Sequence, residues 1–283
     1  MKLLRVGERG AERPALLDAE GALRDLSALV ADIAGGALGE DTLARLRALD
    51  VTRLPTLDAG LRVGPCVGAV GKFIGVGLNY ADHAAESGMP LPAEPILFMK
   101  ATSSICGPND DLCIPRGAHK TDWEIELGVV IGREARYVDE SDALDHVAGY
   151  CVVNDVSERS YQLERGGQWD KGKGCDSFGP IGPWLVTRDE IARPQALAMW
   201  LEVDGVRRQT GSTATMIFGV AQLVAYISQF MSLQAGDVIA TGTPPGVGMG
   251  IKPQPVYLRA GQQLRAGIAG LGEQRQRTVS TST

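Results

Sequence analysis

The sequence has no long apolar run, no block of basic residues and no apolar core near its N-terminus. A transmembrane helix needs roughly 20 consecutive apolar residues, so none is expected. The formal net charge of −6 gives no reason to expect nucleic acid or an anionic membrane as a partner. Because a signal peptide requires an apolar core, we expect a cytoplasmic protein.

Histidine and paired cysteine are also scarce. There are three histidines, and none of the five cysteines forms a Cys-x-x-Cys pair with another. That spacing gives no support for a zinc site, and in a cytoplasmic chain we expect buried free thiols. His146 lies in an acidic stretch typical of a surface and is expected to be structural. His119 lies in a Gly-rich polar loop and stays ambiguous, which leaves His83 as the candidate for catalysis.

Glycine is abundant instead, with 36 of 283 residues, where an average protein has about 7%. This excess favours a strand-rich fold with many tight turns. Residues 1–68 are predicted to form a small N-terminal α/β domain, and residues 69–283 a larger, mainly β domain of the α+β class. We expect strands at 3–6, 15–17, 22–23, 73–77, 127–131, 150–153, 201–204 and 237–240, helices at 41–49 and 215–230, and a frayed tail at 278–283.

An alternation of acidic and apolar residues over 122–130 is the first feature with chemical content. Glu124 and Glu126 are two residues apart, so on a strand both side chains project from the same face. Adjacent carboxylates repel unless a proton or cation lies between them, and an oxygen-only cluster suits Mg²⁺, Mn²⁺ or Ca²⁺. Asp155, at the end of the apolar run 150–154, is the candidate third ligand. The alternative is an ordinary polar strand face with Asp155 as a turn former.

A second group of residues is suited to acid–base chemistry. If the segment after strand 73–77 is helical, Glu86 lies one turn from His83 and can orient it as a general base. Lys173, in a Gly-rich segment, can approach a substrate oxyanion. Each of the three has an ordinary alternative as a solvated surface residue. The segment 241–248 can present hydroxyl and N–H groups to a carboxylate, but it lacks the Gly-Lys-Ser/Thr ending of a phosphate loop.

Six short motifs follow one another over about residues 70–270. They are GLNYADH (77–83), PILFMK (95–100), DWEIEL (122–127), NDVSER (154–159), KGCDSFGP (173–180) and GDVIATGTPPGVG (236–248). Taken together, they resemble the motifs of the fumarylacetoacetate hydrolase family. Each motif is weak alone, whereas six in the family's order are very specific.

The resemblance implies a mixed β-roll fold, a divalent metal and a homodimer or a dimer of dimers. Mg²⁺ is the expected metal, with Mn²⁺ or Ca²⁺ as alternatives. The implied site residues are the metal ligands Glu124, Glu126 and Asp155, the catalytic residues His83, Glu86 and Lys173, and the substrate-contacting residues Arg159, Gln162 and Thr243.

The implied reaction is hydrolysis of a C–C bond in a 2,4-diketo acid, which yields pyruvate and a second acid. The small N-terminal domain resembles that of bacterial members acting on 2,4-diketo-3-deoxy sugar acids, such as the L-rhamnonate or fuconate forms. Other reactions suit the same site, namely those of a ureidoglycolate lyase, a 2-hydroxyhepta-2,4-diene-1,7-dioate isomerase or an oxaloacetate decarboxylase. A non-catalytic protein that binds metal and keto acid is the alternative outside the enzymes. The His83–Glu86 pair favours hydrolysis because it can activate water.

Overall fold

The computed structural model describes residues 1–88 and 90–281, and the predicted mainly β fold of the α+β class with mixed sheets is confirmed. The strands are β1 (Lys2–Val6), β2 (Arg13–Leu17), β3 (Leu23–Asp25), β4 (Phe73–Gly77), β5 (Ile96–Lys100), β6 (Ile105–Cys106), β7 (Leu112–Ile114), β8 (Thr121–Asp122), β9 (Ile125–Ile131), β10 (Val147–Asn154), β11 (Ser157–Glu158), β12 (Gly179–Thr187), β13 (Ala198–Val203), β14 (Val206–Ser212), β15 (Val238–Ala240), β16 (Gln263–Ile268) and β17 (Gly272–Ser280). The helices are α1 (Glu40–Arg47), α2 (Ala81–Ser87), α3 (Arg159–Leu163), α4 (Asp170–Lys173) and α5 (Val220–Ile227).

The largest sheet has the strand order β3-β2-β1-β12-β10-β9-β15-β4-β5, and β6 pairs separately with β12. Most neighbours in it are antiparallel, whereas β15 runs parallel to β4. β1 pairs with β12 through Lys2 with Val186 and Leu3 with Leu185, so the N-terminal strands continue the sheet built by the rest of the chain. The domain boundary near residue 68 thus lies between segments that share one sheet, and it stays a prediction.

A second sheet, of order β14-β13-β16-β17-β7, contributes to the same core. Tyr150 from β10 and Leu201 from β13 belong to one apolar cluster, together with Trp123. The side-chain amide of the buried Gln274 on β17 donates to the Val152 carbonyl at 2.8 Å and ties the two sheets together. β9 and β10 are buried along their whole length, which explains their nearly continuous apolar sequences.

The helix predicted over 215–230 is shorter in the structure, where α5 covers only Val220–Ile227. The reason is Asn79, whose side chain accepts the N–H of Phe218 at 2.8 Å and donates to the Phe218 carbonyl at 3.0 Å. These bonds hold the backbone before Gly219 out of the helix. Sequence periodicity does not register such a partner, because Asn79 lies 139 residues away along the chain.

Part of the C-terminal segment 278–283, which was predicted to be frayed, forms a strand. Thr278, Val279 and Ser280 lie in β17 and pair with β7, so the prediction is wrong for these three residues. The last two residues of the predicted tail, 282 and 283, lie outside the described part of the chain. Across the described residues, no helix is long and apolar enough to span a membrane.

His146 is the one histidine predicted to be structural, and its environment is more buried than its acidic flanks indicate. It is 9% exposed, and its Nδ1 lies 2.7 Å from the Glu134 carbonyl oxygen. The five cysteines are free thiols, as expected, although two of them are only partly buried. The buried thiols are those of Cys66, Cys106 and Cys151.

Candidate active site

The β9–β10 register brings three buried carboxylates together. Glu126 on β9 lies opposite Val153, and the N–H of Asp155, just past β10, donates to the Glu124 carbonyl at 2.8 Å. Each of Glu124, Glu126 and Asp155 offers one carboxylate oxygen, and these oxygens lie within 4.8 Å of one another. The expected acidic cluster is therefore present in space, with its side chains shielded from solvent.

Two of the three carboxylates contact cationic side chains. The Lys173 ammonium lies 2.5 Å from Glu124 and 2.6 Å from Asp155, and Lys100 lies 2.6 Å from the other Asp155 oxygen. Arg159 donates to Glu124 at 2.5 Å. Burial alone would raise the pKa of Glu124, but Arg159 and Lys173 hold that pKa below its ordinary value. Glu124 is thus an anion in the folded protein.

Glu126 differs from its two neighbours because, among the described residues, its only hydrogen-bond donor is the Gly242 N–H at 2.8 Å. Burial, followed by the charges of Asp155 and Glu124, raises the pKa of Glu126 well above its ordinary range. A divalent cation between the three acids would supply the missing positive charge, and oxygen ligands are those that Mg²⁺ and Mn²⁺ prefer. The donor set therefore fits such an ion.

The local balance of charge also favours a divalent cation at this site. Four buried acids and three buried bases meet here, which leaves one negative charge in excess when all are ionised. A divalent cation would change the balance to one positive charge, which suits an anionic keto-acid ligand. The residues counted are Asp122, Glu124, Glu126 and Asp155 against Lys100, Arg159 and Lys173.

The His83–Glu86 pair forms as predicted, because the segment after β4 is helical. The Nδ1 of His83 lies 3.3 Å from a Glu86 carboxylate oxygen, which also accepts the Gly246 N–H at 3.3 Å. His83 is 8% exposed and lines the cavity that contains the three acids. With Nδ1 facing Glu86, the Nε2 atom is left for a ligand in that cavity.

The three predicted substrate-contacting residues also line this cavity, and each already has protein partners. Arg159 donates from Nη1 to the Gln162 side-chain oxygen at 3.1 Å, besides its contact with Glu124. The Thr243 hydroxyl donates to the Ile125 carbonyl at 2.8 Å. Its single proton is thus used within the protein, so toward a ligand Thr243 can act only as an acceptor.

Lys100 and Asp122 lie in two of the sequence motifs, but neither was predicted to belong to the site. Asp122 accepts Arg159 Nε at 2.9 Å and the N–H groups of Gly248 and Met249 at 2.6 and 3.0 Å, so it joins the 241–250 loop to the arginine. Lys100 is fully buried against Asp155. For Lys100 the sequence offered a signal, because a lysine that ends an apolar strand requires a partner for its charge.

We expect Lys100→Met to destabilise the chelator-treated protein by about 3 kcal/mol, since it leaves part of a buried carboxylate unpaired. The loss should be smaller when Asp155→Asn is already present, by at least about 1 kcal/mol, because the two residues are coupled. Urea unfolding of both single variants and the double variant measures this. Lys120→Met, which breaks an exposed ion pair, is the control and should change stability little. Additive losses would contradict the coupling.

The comparison with known proteins decides the family. Residues 72–279 match the family model described as fumarylacetoacetate (FAA) hydrolase C-terminal. The chain belongs to the fumarylacetoacetate hydrolase family. A provisionally named hydrolase of Burkholderia multivorans is 69% identical over 278 residues, covering 98% of this chain and 99% of the relative. The protein is thus an enzyme of the fumarylacetoacetate hydrolase family.

Solved structures of this family share the whole fold. A fumarylacetoacetate hydrolase from Exiguobacterium antarcticum is 35% identical, with a TM-score of 0.85 and 99% of both chains covered. A 2-hydroxyhepta-2,4-diene-1,7-dioate isomerase from Mycobacterium marinum is 32% identical, with a TM-score of 0.78 and full coverage of both chains. Maleylpyruvate hydrolase from Sphingobium sp. SYK-6, in complex with manganese(II) and pyruvate, is 27% identical with a TM-score of 0.82, again with full coverage. The fold therefore serves hydrolases and an isomerase.

Proposed function

We propose that this family member hydrolyses the C3–C4 bond of a 2,4-diketo acid and releases pyruvate and a second carboxylic acid. One observation carries the proposal: a single cavity is lined by the three buried acids and by His83, whose Nδ1 faces Glu86. The proposed ligands of a Mg²⁺ or Mn²⁺ ion are Glu124, Glu126 and Asp155. When bound there, the ion supplies Lewis-acid chemistry toward the keto-acid end of the substrate.

In this proposal His83 is the general base. Glu86 holds Nδ1, so Nε2 takes a proton from water, and the resulting hydroxide attacks C4. The C3–C4 bond then breaks and its electron pair stays on C3. The proton held by His83 is returned to C3, where it completes the methyl group of pyruvate. The oxygen of the water ends in the second acid.

Lys173 is proposed to stabilise the oxyanion that forms at C4. An ammonium group has three N–H donors, and two of them already point to Glu124 and Asp155. The third remains for a substrate oxygen, and one such donor is worth roughly 3–4 kcal/mol in the transition state. Arg159 and Gln162 are proposed to border the keto-acid end, with Thr243 as an acceptor beside them.

The proposal is tested with 2,4-dioxopentanoate as substrate. We expect the protein, treated with chelator and then reloaded with Mg²⁺ or Mn²⁺, to form pyruvate and acetate in equal amounts. In water labelled with ¹⁸O, the label should enter acetate because the hydroxide attacks C4. Pyruvate is measured with a coupled lactate dehydrogenase assay, and protein left without metal is the control.

Other outcomes point to the alternative reactions on the same scaffold. Consumption of 2,4-dioxopentanoate without pyruvate would contradict hydrolysis, as would turnover only of an isomerase, lyase or decarboxylase substrate. Binding of a keto acid to the metal-loaded protein, with no turnover of any of these compounds, would indicate a non-catalytic binding protein. The homodimer and the cytoplasmic location stay predictions. So does the sugar-acid form of the substrate, although the apolar side chains that line much of the cavity argue against it.

A further inference from the structure

The cavity is lined by two chemically different sets of residues. Its volume is about 310 Å³, and the polar part of its lining consists of His83, Glu124, Glu126, Asp155, Arg159, Gln162, Lys173 and Thr243. The remaining wall is apolar, and the side chains that form most of it are Leu78, Ile96, Phe98, Leu163, Trp169 and Met249.

Two aromatic rings, Phe98 and Trp169, form a continuous aromatic wall whose position the backbone fixes. Their centroids are 5.6 Å apart and their planes meet at 58°. A Cβ atom at Gly75 would lie 2.1 Å from the Phe98 ring, and one at Gly77 would lie 2.5 Å from the Trp169 ring. The two glycines lie on the same face of β4, so their missing side chains make the space in which both rings lie.

This aromatic wall begins beside the catalytic groups and runs outward. The Lys173 ammonium lies 4.9 Å from the centroid of the Phe98 ring, and it contacts two of the proposed metal ligands. Trp169 lies one helical turn before Lys173, and the backbone N–H of Lys173 donates to the Trp169 carbonyl at 3.1 Å. Exposure rises from 8% at Phe98 to 37% at Ile96 and 46% at Leu163. A substituent attached to the carbon that faces Lys173 therefore leaves the site along an apolar surface.

We propose that this site selects 2,4-diketo acids whose C4 substituent is apolar, and aromatic substituents above all, over polyhydroxylated ones. The inference rests on the proposed function, which places C4 next to Lys173. The hydroxyl groups of a sugar-acid chain would lose hydrogen bonds to water and find mainly carbon atoms on the aromatic wall and its neighbours. A phenyl group would instead replace water against Phe98 and Trp169.

Binding of three uncleavable 2-oxo acids to the Mn²⁺-loaded protein tests the selectivity without requiring turnover. The probes are 2-oxobutanoate, 2-oxo-4-phenylbutanoate and 2-keto-3-deoxygluconate, which share the keto-acid head and differ beyond C3. Calorimetry should show the phenyl compound binding about tenfold more tightly than 2-oxobutanoate. The polyhydroxylated compound should bind no more tightly than 2-oxobutanoate.

Variants locate this preference on the aromatic wall. Trp169→Ala should reduce the phenyl advantage to about twofold, and Ile96→Ser at the exposed mouth is a second variant in case the first does not fold. Trp200→Ala is the matched control, because Trp200 lies on β13 against Arg207 and Arg265 and not in the cavity. The proposal is overturned if the sugar acid binds as tightly as the phenyl compound, or if the phenyl advantage survives both Trp169→Ala and Ile96→Ser.

Turnover separates this inference from the proposed function. Hydrolysis of 2,4-dioxo-4-phenylbutanoate with a higher kcat/KM than 2,4-dioxopentanoate supports both. Hydrolysis with no preference for the phenyl compound overturns the selectivity alone. If neither compound is cleaved, the proposed function fails, and the binding comparison still decides whether the wall selects apolar groups.

Discussion

The Glu126→Gln variant should lose about a thousandfold in metal-supported kcat/KM, yet unfold no more easily than the wild type when metal is absent. The loss follows from the several kcal/mol that a metal ion supplies to such a reaction. The retained stability follows from the surroundings of Glu126, which lies beside two other acids and, among the described residues, accepts only the Gly242 N–H. Glutamine keeps the shape of the side chain and, like the protonated glutamic acid, carries no charge among the neighbouring acids.

Thermal unfolding with and without Mn²⁺ checks this prediction. At a metal concentration a hundredfold above Kd, the wild type should gain about 2.7 kcal/mol of stability, whereas Glu126→Gln should gain little.

The metal-free proteins should also differ in the pH dependence of their stability. The raised pKa of Glu126 means that the folded wild type retains a proton which the unfolded chain releases above its ordinary pKa of 4.5. The contribution of Glu126 to the free energy of unfolding is therefore fully present below the ordinary pKa, and it is lost as the pH rises through the raised pKa. The Glu126→Gln variant should not show this loss of stability with rising pH. If Mn²⁺ stabilised the variant as much as the wild type, the assignment of Glu126 as a metal ligand would be refuted.

The second large effect is expected for His83→Ala, which should lower kcat by about a thousandfold while Mn²⁺ binding stays unchanged. A general base contributes roughly a hundredfold to ten-thousandfold to a reaction rate. His83 has the required position, since it lines the cavity and faces Glu86 through Nδ1. Steady-state kinetics, together with Mn²⁺ titration of the same preparation, separates loss of the base from loss of the metal.

Two companion variants sharpen the test of His83. Glu86→Gln keeps a polar partner but removes its charge, so we expect a smaller loss in kcat, of roughly tenfold. His119→Ala removes an exposed histidine outside the cavity and should leave kcat unchanged. Full activity of His83→Ala with metal bound would show that another group activates water.

The positions of the proposed metal ligands and of the His83–Glu86 pair could be predicted because they follow from short spacings. Residues two apart on a strand share a face, and residues three apart on a helix are neighbours. Asp155 needed more than spacing, and the ordered motifs around it supplied that information. Their roles in metal binding and catalysis stay predictions that the variants above test.

The remaining features depend on partners that are distant in the sequence. Lys100 meets Asp155 across 55 residues, and Arg159 meets Asp122 across 37. Neither contact follows from a local spacing, so the sequence alone does not predict which residue each cation pairs with. The aromatic wall likewise combines Phe98 with Trp169, which lies 71 residues later in the chain. The hydrogen bond from the Met99 N–H to Asp170 joins the same two segments. Only the folded chain brings these residues together.

The pairing of β1 with β12 gives the first strands of the chain a protective role as well as a structural one. β12 has β10 on one side, and on the other side β1 pairs with its residues Leu185 and Val186. A strand border without a neighbour offers free N–H and C=O groups to strands of other molecules and promotes aggregation. Proteolytic removal of the N-terminal strands would therefore leave the proposed site residues in place, but it would expose an unpaired backbone edge at Leu185 and Val186 in the sheet that contains Glu126.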